Sequence, residues 1–168
     1  MVFIDETAVA TNLVRRYGER REESGWSKVP FGAWTTLTFI AALRHDRLTA
    51  SLLLPGAMNG QIFRADVEQM LAPTLQPGDV VVMDNVRMHR VPGVREAIEA
   101  RGATVPSFPP YSPGLNPIGL AFSKLKALLR AATAQSTPRL LATLRSAISS
   151  FCPQECAAYL AHAGYHST

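Results

Sequence analysis

Apolar residues follow two rhythms along this chain. Val2 to Ile4 form a short apolar run that ends in Asp5-Glu6-Thr7. Trp34 to Leu43 (WTTLTFIAAL) is rich in β-branched and aromatic residues. Leu48 to Leu54 repeats that character after the polar turn Arg44-His45-Asp46-Arg47, and both read as strands. Pro55-Gly56 stops the second. From Gln61 to Leu71 the rhythm changes: Ile62, Phe63, Val67, Met70 and Leu71 fall at helical spacing, with Pro73 and Pro77 to end the helix. Val80 to Met83 is an unbroken apolar run between Pro77-Gly78-Asp79 and Asp84-Asn85, the pattern of a strand buried on both faces. Val91 to Arg101 reads as a helix closed by Gly102. Thr104 to Phe108 is a short strand that Pro109-Pro110 cannot continue. Asn116 to Ala132 is a helix with Asn at its cap, Pro at its first position, and Ile118, Phe122, Leu125 and Leu129 turned inward. Thr137-Pro138 opens another helix that runs to about Ser150, and Pro153 to Ala163 makes the last, ended by Gly164.

The predicted order is β-β-β-α-β-α-β-α-α-α. Three strands in succession make an antiparallel meander, and strands joined through helices run parallel by right-handed crossovers. The expectation is an α/β protein: one domain over residues 1–168, with a mixed five-stranded sheet flanked by helices and extra helices at the C-terminal end. A chain of 168 residues can bury a real core, and 47% hydrophobic against 18% charged residues is a globular composition. No apolar run approaches the roughly 18 residues that span a bilayer. Met1-Val2-Phe3-Ile4-Asp5 has neither the basic start nor the apolar core of a secretory signal. These features predict a soluble cytoplasmic protein without a membrane partner.

Charge narrows the partner. The formal net charge is +4, which leans towards a polyanion, and its distribution says more. Beyond Ala100 the single acid is Glu155, against Arg101, Lys124, Lys126, Arg130, Arg139 and Arg145. Between Ala10 and Phe31, Arg15, Arg16, Arg20, Arg21 and Lys28 alternate with Glu19, Glu22 and Glu23. That stretch is either a solvated loop with internal ion pairs or, with Tyr17 and Trp26, a loop that touches nucleic acid. Cys152, Cys156, His162 and His166 spell C-x3-C-x5-H-x3-H. The spacing departs from a zinc finger, which needs about twelve residues between the pairs, and Cys152 and Cys156 share a helical face where cysteines are commonly core residues.

Candidate chemistry sits at strand ends. Asp5 closes the first strand and Asp84 the fourth, and polar residues past the carboxyl ends of strands in an open α/β sheet lie where ligands bind. If the two strands are neighbours, the carboxylates meet, and two close carboxylates in a basic protein form a hard-cation site. Mg²⁺ or Mn²⁺ there would polarise a phosphodiester and activate water. The bland alternative is a pair of aspartates that cap turns.

The segments FIDET, VVVMDN with His89 shortly after, and PPYSPGLNPI resemble the DDE-superfamily transposases of mariner-like bacterial insertion sequences. VPFGAWTTLTFIAALRHD, NGQIFRADVEQMLAPTLQPGDVVVMDN, FSKLKALLR and CPQECAAYLAHAGY extend the resemblance over nearly the whole chain. It implies an RNase H-like fold, Mg²⁺- or Mn²⁺-dependent DNA strand cleavage, and strand transfer between transposon ends and target DNA. It also implies metal binding by Asp5 and Asp84, with Glu6 and Asn85 as supporting neighbours. His89, five residues past Asp84, would either approach the scissile phosphate or sit exposed in a turn.

Two departures from the family pattern stand out. The family places a Glu or Asp directly after Asn-Pro-Ile; here that residue is Gly119, although the spacing is kept, with 34 residues between Asp84 and Gly119. Gly114 likewise stands where the family usually has Asp. Glycine offers no ligating side chain, Ser123 one turn on is a poor ligand for a hard dication, and a site lacking its third acid should lose about 10³-fold or more in rate. The second departure is the start. Family members carry helix-turn-helix segments before the first catalytic strand, whereas this chain begins four residues before Asp5. It would be a truncated remnant or one product of a split reading frame, and recognition of transposon ends would be missing or supplied by a partner chain or a homodimer. Salt-sensitive, non-specific DNA contact would come from Arg15, Arg16, Arg20, Arg21, Lys124, Lys126 and Arg130, with Lys124 and Lys126 on different sides of their helix. The expectations are therefore a degenerate transposase catalytic domain or a non-catalytic DNA-binding or dimerising remnant. An aspartyl-phosphate enzyme, which FIDET superficially resembles, would need a second Asp where Thr7 stands.

Overall fold

The computed structural model describes residues 1–10, 36–106, 116–132 and 136–165. The basic residues Arg15, Arg16, Arg20 and Arg21, together with Tyr17, Trp26, Trp34, Gly114 and His166, lie outside that set.

A four-stranded sheet organises the chain, in the order β3-β2-β1-β4. Strands β1 (Val2–Ala10), β2 (Thr36–Leu43) and β3 (Leu48–Pro55) form the expected antiparallel meander. The short β4 (Val81–Val82) runs parallel to β1, with Val2 opposite Val81 and Phe3 opposite Val82. Alternation along β1 and β2 divides the apolar residues between two cores, because successive side chains of a strand point to opposite faces. Phe3, Val9, Phe39, Ala41 and Val82 meet α3 (Ile118–Ala131), α4 (Thr137–Ser149) and α5 (Pro153–His162) on one face. Val2, Ile4, Ile40, Val81 and Met83 meet α1 (Gly60–Asp66) and α2 (Val94–Glu99) on the other. Helix α3 turns inward the four residues its period predicts, Ile118, Phe122, Leu125 and Leu129, with Ala121 among them. Each fully buried side chain of that size contributes about 2 kcal/mol.

Three elements differ most from the sequence expectation, while β4 and α2 are shorter than expected at both ends. β1 does not end at Ile4 but runs on to Ala10, because β2 pairs with it along that whole length. The helix expected from Gln61 to Leu71 is α-helical only to Asp66; the Asn59 side chain, which accepts from the Ile62 N–H at 2.9 Å, starts it, and a π-turn (Val67–Leu71) and a 3-10 turn (Ala72–Thr74) finish it. The fifth strand is reduced to one parallel bridge between Val80 and Thr104, so the sheet has four strands rather than five. Thr104 donates to Asp79 O and accepts from the Val81 N–H, each at 2.8 Å. The next rung of a parallel ladder would need the N–H of residue 106, which is proline and has none.

Candidate active site

The site forms where β4 parts from β1. Carrying their register two residues on sets Asp5 opposite Asp84; Asp84 lies just past the carboxyl end of β4, whereas Asp5 lies within β1 rather than closing it as the sequence suggests, because β1 continues to Ala10 against β2. The sheet therefore juxtaposes two acids that lie far apart in the chain. Past Phe3, β1 has lost its β4 neighbour, and its Glu6 N–H turns back to Asp5 Oδ1 at 2.8 Å. Asp5 Oδ2 accepts from Asn116 Nδ2 at 3.3 Å, tying the strand to the chain just ahead of α3. Asn116 thus has two tasks, because its Oδ1 also accepts from the Ile118 N–H at 3.4 Å. The helix itself begins at Ile118 behind Pro117, one residue later than the sequence suggests. Burial pushes the Asp5 carboxyl from 3.8 up to about 6, with the charges of Glu6 and Asp84 adding to the rise while the Glu6 N–H and His89 oppose it.

The second acid is held from the other side. Asp84 is exposed, but its Oδ1 lies 2.6 Å from His89 Nδ1. His89 sits on the 3-10 turn Arg87–Arg90, and it is buried, only 4% exposed, rather than placed at the surface. Its Nε2 faces Glu6 Oε2 at 3.0 Å and its ring stacks on Phe63, with centroids 4.2 Å apart. Burial alone would favour the neutral ring, but the bond to Glu6 and the charges of Glu6 and Asp84 outweigh it and raise the His89 pKa above the ordinary histidine value. Nothing in the sequence announces this bridge. It depends on Phe63 and Glu6, which are distant in sequence, arriving at the ring that Asp84 meets from five residues away.

The remaining predicted residues are distributed around this centre. Asn85 Oδ1 accepts from Arg90 Nε at 2.5 Å, and both residues line a cavity of about 520 Å³ together with Asp84, Pro92, Arg95 and Val105. Gly119 is exposed in the first turn of α3, and a Cβ built there would meet nothing within 4 Å. Lys124 is not a free cation: it pairs with Glu155 at 2.5 Å and lies over the Phe151 ring, 4.4 Å from its centroid. Arg130 is exposed and Lys126 half-buried on the same helix. Cys156 is fully buried among α3–α5 core residues, where burial raises its thiol to about 11, whereas Cys152 is exposed. Among the described residues no three His, Cys, Asp or Glu side chains are arranged as a metal-binding set. Two carboxylates remain, a donor set that suits Mg²⁺, which keeps several waters and takes one or two carboxylates from a protein.

The chain matches the family described as DDE superfamily endonuclease over residues 1–141, and it belongs to that family. No curated protein matches it in sequence. Among solved structures it is similar to the Mos1 strand transfer complex, with 19% identity and a TM-score of 0.66 over 95% of this chain and 50% of that one. The catalytic domain of Mos1 mariner transposase aligns at 18% identity and a TM-score of 0.63, covering 95% of this chain and 74% of that one. The Mos1 transposase catalytic domain solved with raltegravir and Mg aligns at 18% and 0.64, over 95% and 76%. The chain spans about half the length of the Mos1 transposase chain in the strand transfer complex. The fold is RNase H-like, a mixed α/β sheet flanked by helices, and among the described residues no helix is long and apolar enough to cross a membrane.

Proposed function

We propose that this chain is the catalytic domain of a transposase of the mariner-like insertion-sequence kind, acting in the cytoplasm on transposon-end and target DNA, with a metal site weakened at its third position. The observation that carries the reading is the register that sets Asp5 opposite Asp84 beside the start of α3. Asp5 and Asp84 would hold Mg²⁺ or Mn²⁺, which supplies a Lewis acid for the phosphodiester and an activated water. The protein's own part is to fix the two acids. Asn116 holds Asp5 from the chain just ahead of α3, and His89 holds Asp84. Asn85 and Arg90 flank Asp84 with polar and positive groups suited to a phosphate backbone. Arg15, Arg16, Arg20, Arg21, Lys126 and Arg130 would add non-specific contact, and a partner chain or homodimer would supply recognition of the ends. At Gly119 the third acid is replaced by open space, so strand cleavage should be severely slowed.

That same glycine favours a second reading: a DNA-binding or dimerising relative that no longer cuts. Incubation with a labelled transposon-end duplex and Mn²⁺, alongside thermal melts with and without the ion, separates the two. Slow nicking that disappears in Asp84→Asn supports the first. DNA binding with neither nicking nor a Mn²⁺-dependent gain in stability supports the second. Nicking that persists in Asp5→Asn and Asp84→Asn refutes the site assignment.

A further inference from the structure

We propose that Glu6 is a positioning residue: through His89 it fixes the direction of the Asp84 carboxylate, leaving Oδ2 as the oxygen free for a cation. The proposal rests on the metal-site reading above and goes beyond it by assigning separate tasks to adjacent acids.

The geometry is that of a clamp. The His89 side chain is 1% exposed, its ring stacked on Phe63 at an interplanar angle of 30°. The oxygens that face its nitrogens are all acceptors: Asp84 Oδ1 at 2.6 Å and Asp84 O at 3.2 Å on Nδ1, and Glu6 Oε2 at 3.0 Å on Nε2. A ring placed between acceptors must donate at both nitrogens, so each bond fixes the orientation that the other requires. The other bond to the Asp84 carboxylate among the described residues is a long one, 3.5 Å from the Val86 N–H to Oδ1. With its side chain 45% exposed, Asp84 would swing freely without the imidazole.

Glu6 cannot take the place of Asp5. Adjacent residues of a strand face opposite sides of the sheet, and Asp5 is bonded at the α3 side by Asn116 while Glu6 reaches the ring packed on Phe63 of α1. The charge of Glu6 is felt at Asp5 directly, but any orienting effect of its side chain on Asp84 must pass through the imidazole. Partners that orient a metal ligand in this way typically change affinity by roughly 10–100-fold when removed.

The test is Mn²⁺ affinity, read from the paramagnetic resonance of the free ion, for the whole chain and for Glu6→Ala, Glu6→Gln, His89→Gln and the Glu6→Ala/His89→Gln double variant. Asp5→Asn and Asp84→Asn serve as controls, and the metal-free melting temperature is recorded for each. Glu6→Ala and His89→Gln should each weaken binding by roughly 10–100-fold. The double variant should be no weaker than His89→Gln alone, and Glu6→Gln, which keeps an acceptor for Nε2–H, should recover most of the affinity. A lowered melting temperature with unchanged affinity would mark Glu6 as merely structural and overturn the proposal. If Asp5→Asn and Asp84→Asn themselves leave Mn²⁺ binding unchanged, it is the metal-site reading that fails. The clamp is then judged in metal-free protein by proton NMR, where two slowly exchanging ring N–H signals are expected. Glu6→Ala should remove the Nε2 signal and broaden the Nδ1 signal; a sharp, unshifted Nδ1 signal overturns the proposal.

Discussion

Replacing Gly119 by Glu should rebuild the metal site at almost no cost to the fold. The position lies in the first turn of α3, on exposed helical backbone, with nothing within 4 Å of a new Cβ. A helical Gly gives up about 1 kcal/mol relative to Ala, and Glu recovers most of that. The first turn of α3 carries no acid, so a carboxylate there gains a further ~0.3–1 kcal/mol from the helix dipole. Repulsion from Asp5 and Asp84 opposes these gains at about 1 kcal/mol each for partly solvated charges. The terms nearly cancel, so the metal-free melting temperature should move little. Saturating Mn²⁺ changes that. A third carboxylate that tightens the ion by about 100-fold is worth roughly 2.7 kcal/mol at a fixed ion concentration. For a domain of this size each kcal/mol moves the midpoint by about 2–4 °C. The Mn²⁺-induced shift should therefore exceed that of the parent chain by about 5–10 °C in differential scanning fluorimetry. Nicking of a transposon-end duplex should rise with it. Equal Mn²⁺ shifts in the two proteins would show that residue 119 does not look onto the ion, and the reading of its glycine as the missing acid would fall.

Three further outcomes follow from the structure. Asp5 takes its proton more readily folded, at about 6 against 3.8, so metal-free stability should fall as pH rises from about 4 to about 6 and then level off; Asp5→Asn should be more stable than the parent at pH 8 by up to ~3 kcal/mol, equal to it below pH 4, and deaf to Mn²⁺, as checked by urea melts across pH. Asp66 of α1 is 2% exposed, neither carboxylate oxygen has a bonding partner among the described residues, and burial lifts it to about 7; Asp66→Asn should stabilise at pH 8 by at most ~4 kcal/mol, with the advantage fading towards pH 4, and no gain at pH 8 would mean that the acid has a partner in solution. Arg130→Ala should lower the salt dependence of DNA binding by about one counterion, whereas Lys124→Ala, whose cation is already paired with Glu155, should leave that slope unchanged and lower the melting temperature instead; a flatter slope for Lys124→Ala would refute the assignment.

The acids were legible in the sequence because their surroundings are local. An apolar run that stops at Asp84 places it just past a strand end, and another that meets Asp5 places that acid on a strand, although within it rather than at its end. That the strands are neighbours was only a condition that a helical crossover allows, and β1 and β4 do pair in parallel. The length of β1 was not legible: Asp5-Glu6-Thr7 looks like an ending, and only pairing with β2 carries the strand on to Ala10. The fifth strand failed at Pro106, within the stretch predicted as a strand and ahead of the prolines expected to end it. His89 was the least legible residue. Its spacing from Asp84 is visible, but its burial is set by Phe63 and Glu6, 26 and 83 residues away in sequence.

The sheet separates two apolar cores, and the candidate site draws on both. Asp5 is steadied by Asn116, which leads into the helix packed on one side, while Asp84 is steadied by an imidazole lying on Phe63 from the other. Loosening either half of the domain would therefore spoil the spacing of the acids before the strands themselves came apart. Fitness to grip an ion becomes a sensitive gauge of how firmly both halves are closed, and substitutions far from any nucleic acid can silence the site by relaxing only one of them.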